Sequence, residues 1–567
     1  MNAESESGNR VSLRGVERMV TTSDGVSTKI VHSMLIKGDT ATLLRFLPSA
    51  VTRTFNLHPR MRALQVKDQD FLAEIQPPVT VDMVSADGLL RIRMLTPADY
   101  GEGTPTSWQK YAEEECSIGF DRYSQLPFHL SVWVAKRKGT ARLMLFSDHY
   151  MSDGFSGIVV LNCVLEQVSL LARQEEQVSQ LTTEQSGHDS PTPLASEFPL
   201  RPSLYRMWLK KVTWAKPLLK GTNALFGRRM FRGSVQKFTS LLAARGDQQD
   251  FAVPPVVNGT SALFADGDAA CMREALAKCK KECVTFGGAL VAVVLLAFYR
   301  ARSGKEQRGR FNPFKLTADL GYDMRQRVQH PAEEDQVGMY AATADLEWLA
   351  TEGVDMLTVR FWDLAGRANR EIEAKLRNTL AMAVPTMAAD QKLNAHMEAS
   401  FLKNVRVPHS ITADVDISNM GMYPFKKEHY LTAKPKGTNG KDMLRYKKYH
   451  QLAAKSRENG SKPSGVAVHE KYQQLTVEEG RKGDATKASS LLSVESLHVY
   501  KAAPHLAASA TIFVSSVHGF NYSMAHKCEA AVGEALFETF VVLCESIGSI
   551  GSDETLVDVM ERLDAMQ

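Results

Sequence analysis

The chain has 567 residues, 44% of them hydrophobic, and a formal net charge of +4 at neutral pH. At roughly 150 residues per domain this length suits three or four units, or two domains carrying large insertions. A charge so near balance argues against a protein built as a whole to bind nucleic acid.

The seven cysteines, Cys116, Cys163, Cys271, Cys279, Cys283, Cys528 and Cys544, are scattered and odd in number. They form no CxxC and no Cys/His ligand pair, so neither a disulfide framework nor a metal site is expected, and a reducing, cytoplasmic compartment is. Residues 1–8, Met-Asn-Ala-Glu-Ser-Glu-Ser-Gly, carry acid where a signal peptide carries Lys or Arg. Phe286–Tyr299 is the longest apolar run. It predicts a buried core helix, being short of the ~20 residues that span a bilayer.

Residues 26–173 alternate helical and strand patterns. Leu43, Leu44, Phe46, Leu47, Val51 and Phe55 recur at helical spacing, and Pro59 stops that helix. Phe128–Val134 and Leu143–Phe146 are expected as neighbouring strands, joined by the polar turn at 136–140. Ile158, Leu161, Leu165, Val168 and Ala172 then step along one helix face. Residues 174–259 predict a crossover, opening with a linker over 174–198 rich in Gln, Glu, Ser, Thr and Pro. Within it, residues 201–233 hold nine Lys or Arg and no acid, interleaved with Tyr205, Trp208, Trp214, Phe226 and Phe231. That pattern fits a solvated basic helix pair with its aromatics on the core. It equally fits peripheral contact with a membrane surface, an acidic partner or an anionic cofactor. A second α/β unit is expected over 260–567, with strands at Lys315–Leu320 and Ala510–Val517 and a final helix over Met524–Ile547. Residues 426–488, rich in Lys, Gly and Ser, predict a surface insertion.

The stretch from Leu143 to Gly157 holds the chemistry. An apolar strand ends at Asp148, His149 follows, and Asp153-Gly154 opens an amphipathic helix. A histidine just past a buried strand is held firmly yet reachable from a cleft, where a general base is useful. With an ordinary pKa near 6.5, much of the imidazole is neutral at cytoplasmic pH. The turn at Gly154 predicts that the His149 and Asp153 side chains diverge, leaving Asp153 to brace the loop against a buried cation. Taken alone, the same pattern also suits a core histidine beside a capping aspartate.

Three further segments occur in order with this one: Asn56-Leu-His-Pro-Arg-Met-Arg-Ala63, Asp323-Met-Arg325 followed by Val337-Gly-Met-Tyr340, and Ile417-Ser-Asn-Met-Gly421. Together they resemble the coenzyme A-dependent acyltransferase superfamily, which includes chloramphenicol acetyltransferase, the plant BAHD enzymes, alcohol acetyltransferases and peptide-synthetase condensation domains. Asp148–Gly154 matches the HHxxxDG motif, with Asp148 in place of its first histidine. The plant-type DFGWG signature is absent.

The resemblance implies an α/β fold of two similar chloramphenicol-acetyltransferase-like subdomains, with mixed sheets, flanking helices and an active-site tunnel between them. It implies acyl transfer from acyl-CoA, a co-substrate rather than a bound cofactor, to an alcohol or, less favoured, an amine. His149 would be the catalytic base and Asp153 its structural partner, with Arg325 as the charge facing Asp153. Gly154 would leave room for substrate, and Asn419 or a backbone amide would face the oxyanion. A stand-alone condensation-like enzyme using a carrier-bound thioester, and a member that binds without turnover, are the alternatives.

Overall fold

Two sheets form because two separate sets of apolar, β-branched runs need covering, and long helices supply the cover. The computed structural model describes residues 9–19, 28–67, 71–96, 99, 107–181, 197–209, 238–248, 259–303, 311–328, 335–378, 382–383, 409, 411–432, 490–502 and 507–566. In the first half the strands are β1 (Arg10–Ser12), β2 (Lys29–Gly38), β3 (Ala63–Gln65), β4 (Leu72–Ile75), β5 (Leu90–Met94), β6 (Phe128–Ala135) and β7 (Thr140–Asp148). The helices there are α1 (Val16–Met19), α2 (Thr40–Leu57), α3 (Val81–Ala86), α4 (Trp108–Ser117), α5 (Gly154–Leu181) and α6 (Leu204–Leu209).

The second half contributes strands β8 (Ser261–Asp266), β9 (Ala318–Asp323), β10 (Ala341–Asp345), β11 (Ile411–Met422), β12 (Glu428–Tyr430), β13 (Leu491–Lys501), β14 (Ala507–Ser516) and β15 (Phe520–His526). Its helices are α7 (Ala269–Lys281), α8 (Phe286–Ser303), α9 (Glu347–Thr351), α10 (Phe361–Arg377), α11 (Ala530–Ser546) and α12 (Leu556–Met566).

The first large sheet has the order β12-β13-β2-β7-β6-β5, and the second β10-β9-β11-β14-β15-β8. Both are mixed. β5 and β6 run parallel in the first, and β11 runs parallel to both β9 and β14 in the second. A small sheet, β1-β4-β3, sits beside the first lobe. Strands β12 and β13 come from the second half of the chain yet complete the first sheet, with β13 pairing antiparallel to β2 from Leu492 opposite Gly38 to Lys501 opposite Ile30. The sequence division at residue 260 is therefore not a division of the sheets.

Helices α2 and α5 cover one face of the first sheet. Asp39 starts α2 by accepting from the Thr42 amide at 3.0 Å, and His58-Pro59 ends it. In the second lobe α8 is apolar on every side and packs between α10 and α11. The segments Gly154–Glu176 and Phe286–Ser303 are long and apolar enough to cross a membrane, and 67% and 72% of their windows are buried within the fold. All seven cysteines are free thiols.

Four expectations need correcting. Strand β9 starts at Ala318 rather than Lys315, because its ladder with β11 begins where Ala318 meets Val415. The final apolar stretch splits into β15 and α11; β15 is buried on both faces, so its run has no alternation to set it apart from a helix. Helix α5 continues through the start of the expected linker to Leu181. The expected insertion opens with β12. Residues 182–196 of the linker, 210–233 of the basic segment and 433–488 of the insertion lie outside the described residues, while Leu204–Leu209 of the basic segment is α6.

Candidate active site

His149 is the first residue after β7, a strand bonded on both sides by β2 and β6. Its amide donates to the Thr28 carbonyl at 2.8 Å, so the backbone stays tied to the segment leading into β2. The ring Nδ1 lies 2.8 Å from the Ser152 carbonyl oxygen. A carbonyl can only accept, so Nδ1 carries the proton and Nε2 bears the lone pair. The residue keeps partial solvent access. Burial lowers its pKa to about 4, helped by the Lys501 charge and opposed by the Ser152 carbonyl and Asp153. At neutral pH the imidazole is an uncharged base.

Asp153 points away from that ring into a closed set of partners. Arg325 grips it with two parallel bonds, Nη1 to Oδ2 at 3.0 Å and Nη2 to Oδ1 at 2.9 Å. The Ser156 amide donates to Oδ1 and the Tyr340 amide to Oδ2, each at 2.8 Å. Asp153 is 3% exposed and Arg325 1%. Burial alone would raise the carboxyl, but Arg325 and the two amides outweigh it and hold Asp153 below the ordinary carboxylate range. The remaining guanidinium hydrogens go to Asp323 Oδ1 at 3.1 Å, the Gln336 carbonyl at 3.3 Å and Ser156 Oγ at 2.8 Å, and the Phe155 and Tyr340 rings stack near the cation. The pair ties the start of α5 in the first lobe to the end of β9 in the second.

Two residues not singled out by sequence support this turn. Ser156 Oγ has one proton, with Asp153 Oδ1 and the Gly338 carbonyl each 2.8 Å away, and it accepts from the Gly338 amide at 3.0 Å. His32, in the middle of β2, holds the Gly154 carbonyl through Nε2 at 2.7 Å, with burial lowering its pKa to about 4. A buried histidine on a strand carries no sequence signal of such a role. Ser156 follows Asp153 at the spacing of an aspartate-capped first turn, a signal that was available.

Gly154 does not face open space. A Cβ there would come within 2.5 Å of the Met420 methyl and 2.8 Å of its sulfur, on the strand that crosses from the other lobe. Gly157 is tighter, its hypothetical Cβ meeting the His32 ring at 2.1–2.4 Å. Gly157→Ala is therefore expected to displace His32, break its bond to Gly154 and cost about 1–3 kcal/mol in a denaturant titration.

Asn419 is not brought to His149. Ser418 Oγ lies 3.5 Å from Met420 Sδ, so those two share the face turned to the first lobe. Asn419, between them, points the other way, is exposed, and accepts from the Gly421 amide at 3.0 Å within its own bulge. A separate open groove of about 650 Å³ is lined by Arg62, Glu74, Gln76, Glu197 and Phe198 among others, and by none of the residues around His149.

No protein-family model matches the chain, and no curated protein matches it with significance. Among solved structures it is similar to the trichothecene 15-O-acetyltransferase of Fusarium sporotrichioides, with a TM-score of 0.62 at 12% identity over 96% of this chain and 97% of that one. The first condensation domain of the calcium-dependent antibiotic synthetase, bound to a substrate analogue, gives 0.52 at 10% identity over 98% and 99%. The chain has the acyltransferase/condensation-domain fold. Within that fold, two mixed sheets with flanking helices meet as two lobes, and Asp153, four residues after His149 in the first lobe, stands with Arg325 where the lobes meet. Among the described residues no His, Cys, Asp and Glu cluster is arranged to hold a metal ion.

Proposed function

We propose that this protein is an acyltransferase that moves an acyl group from a coenzyme A thioester to an alcohol, with His149 as general base. The observation that carries this reading is the bare Nε2 of a solvent-reached imidazole, fixed by the Ser152 carbonyl at the junction of the two lobes. The hydroxyl acceptor in the similar trichothecene enzyme supports an alcohol over an amine.

In the proposed step, Nε2 takes the acceptor's proton as the acceptor oxygen attacks the thioester carbonyl. The tetrahedral intermediate then expels the sulfur, and the imidazolium returns the proton to the departing thiolate. A thiol with pKa near 8.5 leaves readily, so both substrates react directly and no acyl-enzyme forms. Asp153 and Ser152 favour the transient imidazolium, offsetting part of its burial. Asp153 and Arg325 act as braces, while acyl-CoA arrives and leaves as co-substrate. The free cysteines support a reducing, cytoplasmic setting.

Incubation with a panel of acyl-CoAs and an alcohol pool, read as free thiol release, tests the reaction. Release only from carrier-tethered thioesters would instead favour condensation-like chemistry, and saturable binding without release would favour a non-catalytic member.

The pH profile provides a second check. The base acts unprotonated, and its pKa in the folded protein is about 4. The acid limb of kcat/KM should therefore fall tenfold per pH unit only below about pH 4. A limb near 6.5, the value of a solvated imidazole, would contradict that lowered value.

A further inference from the structure

The second sheet carries charged side chains toward the lobe junction that the proposed proton transfer does not use. Register sets Asp345 of β10 beside Asp319 of β9, Asp319 beside Asp416 of β11, and Asp416 beside Thr511 of β14. Ala525 of β15 continues that row. Lys527, whose amide donates to the Ser509 carbonyl, comes two residues later and leaves the backbone on the same side. The neighbouring Leu320 and Ile417 lie in the core behind the sheet, so the row faces the first lobe.

Lys527 is 1% exposed, and among the described residues its Nζ has no hydrogen-bond partner. Its charge acts on Asp416, as does that of Lys501 at the end of β13, and Lys501 also acts on His149. Asp416 accepts from Thr511 Oγ1 at 3.4 Å, and among the described residues neither lysine closes into an ion pair with it. A buried ammonium group with no bonded anion bears a desolvation cost that a bound anion would offset. Burial lowers Lys527 to about 7 and Asp416 draws it back, so an arriving negative charge would secure its protonated form.

We propose that Lys527 and Lys501 form an anion-accepting subsite beside His149 that binds a carboxylate carried by the acyl group or by the acceptor. Asp416, with Asp319 beside it, offsets part of the charge of the two lysines, which suits a monoanion better than a phosphate dianion. The subsite deepens the acyl-transfer reading and rests on it for the two sources of the carboxylate.

Binding rather than turnover tests it, so its failure is separable from a failure of catalysis. In the donor arm, calorimetry compares succinyl-CoA with butyryl-CoA. In the acceptor arm, CoA-saturated protein is titrated with 4-hydroxybenzoate and with its methyl ester. In one arm the carboxylate member should bind about tenfold tighter or more, the order expected of a charge-assisted hydrogen bond. Lys527→Met should abolish that ratio and Lys527→Arg should keep most of it. If Lys527→Met does not fold, Lys501→Met decides: loss of the second lysine charge should lower the preference for the anion. Equal affinities in both arms, absence of binding included, overturn the subsite, as does a ratio that survives Lys527→Met or, where that variant does not fold, Lys501→Met.

Discussion

His149→Ala is expected to lower acyl-thioester turnover by about 10²–10⁴-fold, the usual contribution of a positioned general base. The fold should survive. The ring is partly exposed and its only described hydrogen bond is to Ser152, whereas the backbone bond to Thr28 is retained by any residue at this position. Circular dichroism and a denaturant midpoint close to the parent's would establish that the protein is intact. His149→Gln sharpens the test, since it fills the space and can hydrogen-bond without acting as a base near neutral pH. Thiol release that persists in both variants would remove this imidazole from the chemistry.

Asp153→Asn is expected to act on the framework first. The carboxylate accepts four hydrogen bonds around a buried guanidinium, and replacing one oxygen by an amide sets N–H donors against Arg325 and a backbone N–H. Breaking one side of such a pair leaves a buried charge uncompensated and costs about 3–5 kcal/mol. A denaturant titration should show that loss, and activity should fall even where the protein remains folded, because Asp153 fixes the turn that carries Ser152 and hence the His149 tautomer. Arg325→Lys should not preserve the parent's stability, since an ammonium cannot make the two parallel bonds. A stable, active Asp153→Asn would mean that the turn is held by other contacts.

The parts of this molecule that were legible in the sequence were those with strong local patterns. Leu43 to Phe55 gave α2, Phe128 to Phe146 gave the β6–β7 hairpin, and Phe286 to Tyr299 gave α8, because each shows one clear periodicity or a long unbroken apolar run. The partnership of Asp153 with Arg325 came from resemblance; no local rule connects residues 172 positions apart. The strand character of Phe520–His526 was hidden because both of its faces are buried. His32 and Lys527 were missed for a related reason: their roles depend on which strands become neighbours, and register across a sheet leaves no trace at the residue itself.

The exchange of β13 into the first sheet bears on how this protein can be cut, expressed or evolved. A fragment ending near residue 260 would leave the β2 edge bare from Ile30 to Gly38, nine residues of largely buried strand offering open amides and carbonyls to any neighbour. Such a piece should self-associate rather than remain dispersed, and the missing half, supplied in trans, should rescue it by docking its own strand. The two lobes are thus buckled together by the backbone itself.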